Sequence, residues 1–124
     1  MNRVEAPRYH YVVVRADLPV GFAMAQVCHA AGESALGGPV PDGTNAVVLA
    51  VTDEAQLLAV FARLEARRLS PFLIREPDAP YHDQATAIGL PPRVGRVRLL
   101  SALPLYGARQ RVLRPHQEDP TPVP

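Results

Sequence analysis

Residues 9–36 read YHYVVVRADLPVGFAMAQVCHAAGESAL, and this stretch decides the fold class. Tyr11, Val12, Val13 and Val14 are consecutive aromatic and β-branched residues, so residues 9–16 are expected to form a strand. The run has no polar alternation, which implies a strand covered on both faces. Asp17-Leu18-Pro19-Val20-Gly21 carries the punctuation of a turn. Residues 22–36 are dominated by alanine and predict a helix. Ala23, Val27, Ala30 and Ser34 fall on one face of it, and side chains this small permit close packing on a sheet. Gln26, His29 and Glu33 follow at steps of three and four and form a second, polar face. A doubly buried strand that turns directly into a helix belongs to a layered α/β architecture.

Outward from this unit the pattern continues. Residues 37–43 form a Gly/Pro loop and residues 45–51 (NAVVLAV) a second strand. Asp53, with Gln56 three positions on, has the spacing of a capping box. The helix over 53–68 presents Leu57, Phe61 and Leu64 on one face, with Arg63, Glu65 and Arg67 outward. Ser70-Pro71 ends it. Residues 72–75 (FLIR) and 84–89 (QATAIG) are expected as a third and a fourth strand, paired antiparallel across an acidic, Pro-containing loop. Pro91-Pro92 suits a helix start, and residues 92–103 are expected to be helical, with Val94, Val97 and Leu100 inward. The order β-α-β-α-β-β-α predicts a mixed four-stranded sheet with helices on both faces. Residues 1–106 make one domain. Residues 107–124 are expected to be a mobile Pro-rich tail.

Composition narrows the function. The chain has 124 residues and is 48% apolar, enough for one domain with a real core. Its single cysteine, Cys28, excludes an internal disulfide and is expected in the core. No zinc-ligand spacing is present. Without a run of ~20 apolar residues or a signal-like start, the expected location is cytoplasmic. The net charge is +1, and all 13 basic residues are arginine. A lysine ammonium is therefore unavailable to any mechanism, and the cations present are suited to clamping phosphate. Arg93, Arg96 and Arg98 are expected as a solvated helix face.

Five segments, in order, resemble the type II peptidyl-tRNA hydrolases: YVVVRADLPVG (11–21), AQVCHAAGES (25–34), NAVVLAV with Asp53 after it, LIREPD (73–78) and QATAIGL (84–90). The pattern Glu-Pro-Asp with Gln-x-Thr-Ala is similar to a divergent bacterial or phage branch of that family. The resemblance spans residues 10–104. It implies metal-independent, cofactor-free hydrolysis of the ester joining a peptide or amino acid to tRNA, a tRNA partner and a homodimer. Family positions transfer unevenly. The family aspartate corresponds to Glu76, the threonine to Thr86, the helix histidine to His29 and the glutamine to Gln26. The family lysine falls near residues 21–24, where this chain has none.

Ester hydrolysis requires an oriented water, a base and an oxyanion stabiliser. Glu76, or Asp78 beside it, is the expected base. Thr86 is expected to donate a hydrogen bond to the substrate, and His29 to move a proton or touch the terminal adenosine. Gln26, Gln84, Arg75 and the backbone at Gly21 are expected substrate contacts, the last because a helix start binds anions. Each residue also has a structural reading: a packed histidine, solvated loop acids, a β-forming threonine, an ion-paired arginine. The missing lysine leaves a second function open, a module that binds tRNA or protein without turnover. All these roles depend on Gln26, His29, Glu76 and Thr86 meeting around one hollow.

Overall fold

The computed structural model describes residues 6–108, so the tail expected at 107–124 lies outside the described residues except for Gly107 and Ala108. Strand β1 (Arg8–Arg15) runs through the middle of the sheet. Its odd residues Tyr9, Tyr11 and Val13 enter one apolar cluster, and Val12 and Val14 enter another on the opposite face. Alternate side chains of a strand point to opposite faces, which is why an unbroken apolar run marks this position.

Helix α1 (Val20–Ser34) covers the face of Val12 and Val14 with Ala23 and Ala30. Helix α2 (Glu54–Ala66) covers the other with Leu57, Val60 and Leu64. Strand β2 (Thr44–Val51) pairs parallel with β1 from Arg8↔Thr44 to Arg15↔Val51. Strands β3 (Phe72–Glu76) and β4 (Gln84–Gly89) pair antiparallel, with a bulge between Ile74 and Arg75, and β4 joins β1 antiparallel. The spatial order β2-β1-β4-β3 makes a mixed sheet with helices on both faces, as the sequence predicts, but a short fifth strand paired with β1 takes the count beyond the four expected.

The small face of α1 has a measurable consequence. A Cβ built on Gly89 would sit 2.4 Å from the Ala30 carbonyl oxygen and 2.6 Å from Ser34 Oγ. Only a glycine lets the helix backbone come this near to β4. The Ser34 hydroxyl donates to the Ala30 oxygen at 2.7 Å, so His10 Nε2, 2.8 Å from that hydroxyl, must be the donor to it. At α2, Asp53 accepts from the Gln56 backbone N–H at 2.9 Å, confirming the cap. The Gln56 side chain reaches back one residue further than the usual box, accepting from the Thr52 N–H at 2.6 Å.

The helix expected over 92–103 does not form. Arg93–Val94 is instead a short strand, β5, antiparallel to Arg8 and Tyr9 of β1. Gly95 follows at φ +89°, a left-handed conformation that no α-helix accommodates, and Val97 is extended. A single 3-10 turn, Arg98–Leu100, then buries Leu100. The three-residue apolar spacing is real for Val97 and Leu100, but it comes from an extended segment and a turn; Val94 is exposed. Pro104, just past the expected helix, instead joins the edge of the sheet. Its carbonyl accepts from the Ala50 N–H, and Tyr106 N–H donates to the Val48 carbonyl, so residues 104–106 run antiparallel along β2.

Candidate functional site

The three parallel strands β1, β2 and β3 end on the same side of the sheet, the side where open α/β sheets bind ligands. Glu76 is the last residue of β3, Gln26 lies on the inner face of α1, and Thr86 is in β4. The structure brings these three together. The Thr86 hydroxyl donates to Gln26 Oε1 at 2.6 Å, with the Ile74 carbonyl a more distant acceptor at 3.3 Å. Gln26 Nε2 faces Glu76 Oε1 at 3.5 Å, and Glu76 Oε2 accepts from the Asp78 backbone N–H at 3.0 Å. The orientation of the Gln26 amide follows from its neighbours. A flipped amide would aim its oxygen at a carboxylate and leave the hydroxyl only the more distant Ile74 carbonyl as acceptor. Thr86 is fully buried and Gln26 is 5% exposed, whereas Glu76 is half-buried. The triad is therefore a buried relay whose open end is the carboxylate.

The other expected site residues take different positions. His29 does not join the triad: its side chain is 61% exposed, one turn from Glu33, with 3.9 Å between Nε2 and Oε2. The polar face expected along α1 thus splits, with Gln26 turned to the sheet and His29 and Glu33 to solvent. Cys28 is exposed and not a core residue, because it shares that outer side of α1. Asp78 contributes its backbone N–H, while its side chain is exposed. Arg75 donates to the Asp83 carbonyl at 2.9 Å, so it holds the β3–β4 loop and does not hold Glu76. Gly21 lies open in the first turn of α1, with nothing within 4 Å of a Cβ placed there.

Gln84 belongs to a second network that the sequence reading missed. Arg15, 6% exposed at the end of β1, donates from Nε and Nη2 to the two oxygens of Asp17 at 2.9 and 3.0 Å. Its Nη1 donates to Gln84 Oε1 and to the Ala85 carbonyl. The Ala85 N–H donates to Glu54 Oε2 at 2.8 Å. Beyond the last β1 pairing, two side chains of opposite charge thus hold the start of β4 in place of a strand. The hydrogen bond from Arg15 holds the Asp17 carboxyl below its ordinary range, and the same bond raises the Arg15 pKa. An arginine closing a fully buried run, two residues before an aspartate, was the available signal. Phe22 stacks on Tyr81 with ring centroids 4.6 Å apart and planes at 7°, tying the start of α1 to the β3–β4 loop. In the stretch 21–24 the chain thus sets an aromatic ring.

Among the described residues no group of three or more His, Cys, Asp or Glu is placed to hold a metal ion. No described helix is long and apolar enough to cross a membrane. A hollow of about 650 Å³ lies on the α2 side of the sheet, lined by Tyr11, Leu49, Val97, Leu100 and Leu103, with Arg96 and Arg98 beside them. Neither it nor its neighbour against residues 104–108 touches the Gln26–Glu76–Thr86 relay.

No family model and no curated protein matches the chain. Fourteen chains of solved structures do. One is a protein of unknown function from Agrobacterium tumefaciens, 19% identical, covering 81% of this chain and 98% of its own, with a TM-score of 0.48. A likeness of that degree assigns neither an activity nor a partner.

Proposed function

We propose that the chain hydrolyses the ester of peptidyl- or aminoacyl-tRNA, with Glu76 as the group that orients and deprotonates the attacking water. The observation that carries this reading is the meeting of Thr86, Gln26 and Glu76, in which Gln26 Nε2 stands 3.5 Å from a carboxylate that the Asp78 N–H holds at the strand ends and that is left partly open. Gln26 and Thr86 act as positioning residues in this scheme, since neither is exposed enough to meet a substrate. The Asp78 N–H holds one carboxylate oxygen, leaving further lone pairs on Glu76 for water. The open backbone at Gly21, in the first turn of α1, supplies donors for an oxyanion or a phosphate. Partners on this reading are tRNA and a second copy of the chain, in a cytoplasmic setting.

A second reading has one specific observation behind it. The hydroxyl of Thr86 is wholly enclosed, and Phe22 occupies the first turn of α1 in a stacked pair. A module that binds tRNA, or a protein partner, without turnover accommodates both features. Release of a labelled acyl group from tRNA separates the two. On the hydrolytic reading Glu76→Gln lowers single-turnover release by about 10²–10⁴ while binding of uncharged tRNA is retained. Release by the wild type no faster than the buffer rate eliminates that reading.

A further inference from the structure

The charges of this nearly neutral chain are sorted along the strands. Asp17, Asp53, Glu54, Glu76, Asp78 and Asp83 lie at the carboxyl ends of β1–β3 or in the segments that follow them. The two arginines there are engaged: Arg15 with Asp17, Gln84 and Ala85, and Arg75 with the Asp83 carbonyl. The opposite end carries cations. Arg63, Arg67 and Arg68 are exposed at the end of α2, and Arg93, Arg96 and Arg98 follow β4. These two groups share an end of the molecule, because α2 leads into Phe72 at the start of β3, which pairs with Gly89 at the end of β4. Glu65 is the one acid between Arg63 and Arg98 on this side of α2; Glu33 and Asp42 lie at the same end on α1 and in the loop before β2.

Among the described residues none of these six arginines has a carboxylate within salt-bridge distance. The dipole of α2 accounts for Arg63, in its last turn, and for its neighbours. It does not account for Arg93, Arg96 and Arg98. Arg96 lies over the Tyr9 ring at 4.9 Å, which holds the guanidinium but leaves its charge unneutralised. Arg93 Nε is buried and has no hydrogen-bond partner among the described residues. Arg93 lies in β5, Arg96 follows the bend at Gly95 and Arg98 opens the 3-10 turn, with Val97 buried between the last two. A small anion needs donors that converge on one point, whereas a chain of phosphates needs a row.

We infer that the face formed by Arg93, Arg96 and Arg98 with the end of α2 binds the phosphodiester backbone of RNA, at the opposite end of the sheet from Glu76. The separation is about 26 Å, eight residues of β1 at ~3.3 Å each. The acidic end repels the same backbone, so an RNA meets the molecule in one orientation. The inference stands apart from ester hydrolysis, because its test uses an uncharged tRNA transcript with no ester to cleave. Fluorescence anisotropy is measured across 25–200 mM salt for the full chain and for Arg96→Gln/Arg98→Gln. The wild type is expected to bind with a salt-dependent affinity. The variant is expected to bind roughly tenfold more weakly, with a salt slope smaller by about 1.5. Arg96→Lys/Arg98→Lys, which keeps the charge, is expected to retain both values. Arg63→Gln/Arg67→Gln tests the same face through α2, should the first variant lose its fold by circular dichroism. Unchanged affinity and slope in the Gln variants, a Lys pair as weak as the Gln pair, no tRNA binding by the wild type, or binding to phosphatidylserine vesicles in place of tRNA would each overturn the inference.

Discussion

Replacing Thr86 by valine conserves volume and removes one hydroxyl from the centre of the relay. The Gln26 carbonyl, 2.6 Å from that hydroxyl, is left without a donor in a place water does not reach, since the two residues are 0% and 5% exposed. An orphaned buried acceptor costs about 1–3 kcal/mol, so we expect about 2 kcal/mol here. At roughly 4 °C per kcal/mol for a domain of this size, Tm falls by about 8 °C. Gln26→Leu is milder. The freed Thr86 hydroxyl still has the Ile74 carbonyl at 3.3 Å to turn to, and the expected loss is about 1 kcal/mol. The double variant removes both partners and should be close to Gln26→Leu alone. A double-mutant cycle read by urea unfolding at constant m therefore returns a coupling of about 2 kcal/mol. Additivity within about 0.5 kcal/mol would show that the two side chains do not depend on each other, and the positioning of Glu76 through them would lose its basis.

Other outcomes follow from the same contacts. Gly89→Ala places a methyl carbon against the Ala30 carbonyl and Ser34 Oγ, and should cost about 1–3 kcal/mol or more in unfolding free energy; a neutral result would mean that α1 slides away freely. Burial lowers the pKa of His10, so the unfolded chain takes up that proton first. His10 therefore contributes stability that is present above its ordinary pKa near 6.5 and is lost as pH falls toward the lower folded value. Melting curves between pH 7 and pH 5 should show this slope in the wild type and not in His10→Gln. Asp17→Asn removes the bidentate partner of Arg15 while Asp17 itself is 41% exposed, so about 1–3 kcal/mol is expected. The depressed Asp17 carboxyl adds stability above its usual pKa of 3.8 that fades as pH drops further, and the asparagine variant should lack that acid limb.

Strand β1 and helices α1 and α2 were legible because their signals are local: an unbroken apolar run, an alanine-rich face, and an Asp53 cap with Gln56 in place. The segment 92–103 was misread because Val94, Val97 and Leu100 fit a helical period while Gly95 quietly breaks it at φ +89°. Residues that are close in the relay are 50 and 60 positions apart along the chain, and only the pairing of β4 with both β1 and β3 brings them together. Gln26 and His29 show the limit of reasoning by helical spacing. A step of three places residues near one another along a helix, but the edge of the contact with the sheet runs between these two. The Arg15 network was invisible for a related reason: the partners that make a buried cation tolerable, Gln84 and the Ala85 carbonyl, belong to a strand nearly 70 residues away.

Pro104 and Tyr106 satisfy the outward amide of Ala50 and the outward carbonyl of Val48. In doing so they seal a row of backbone groups that would otherwise welcome a foreign chain. Shortening the protein before Pro104 would keep every hydrogen bond of the relay and cost α1's apolar cluster one partner, Tyr106, yet it would turn β2 into a template for self-association. Solubility would then fail before stability did.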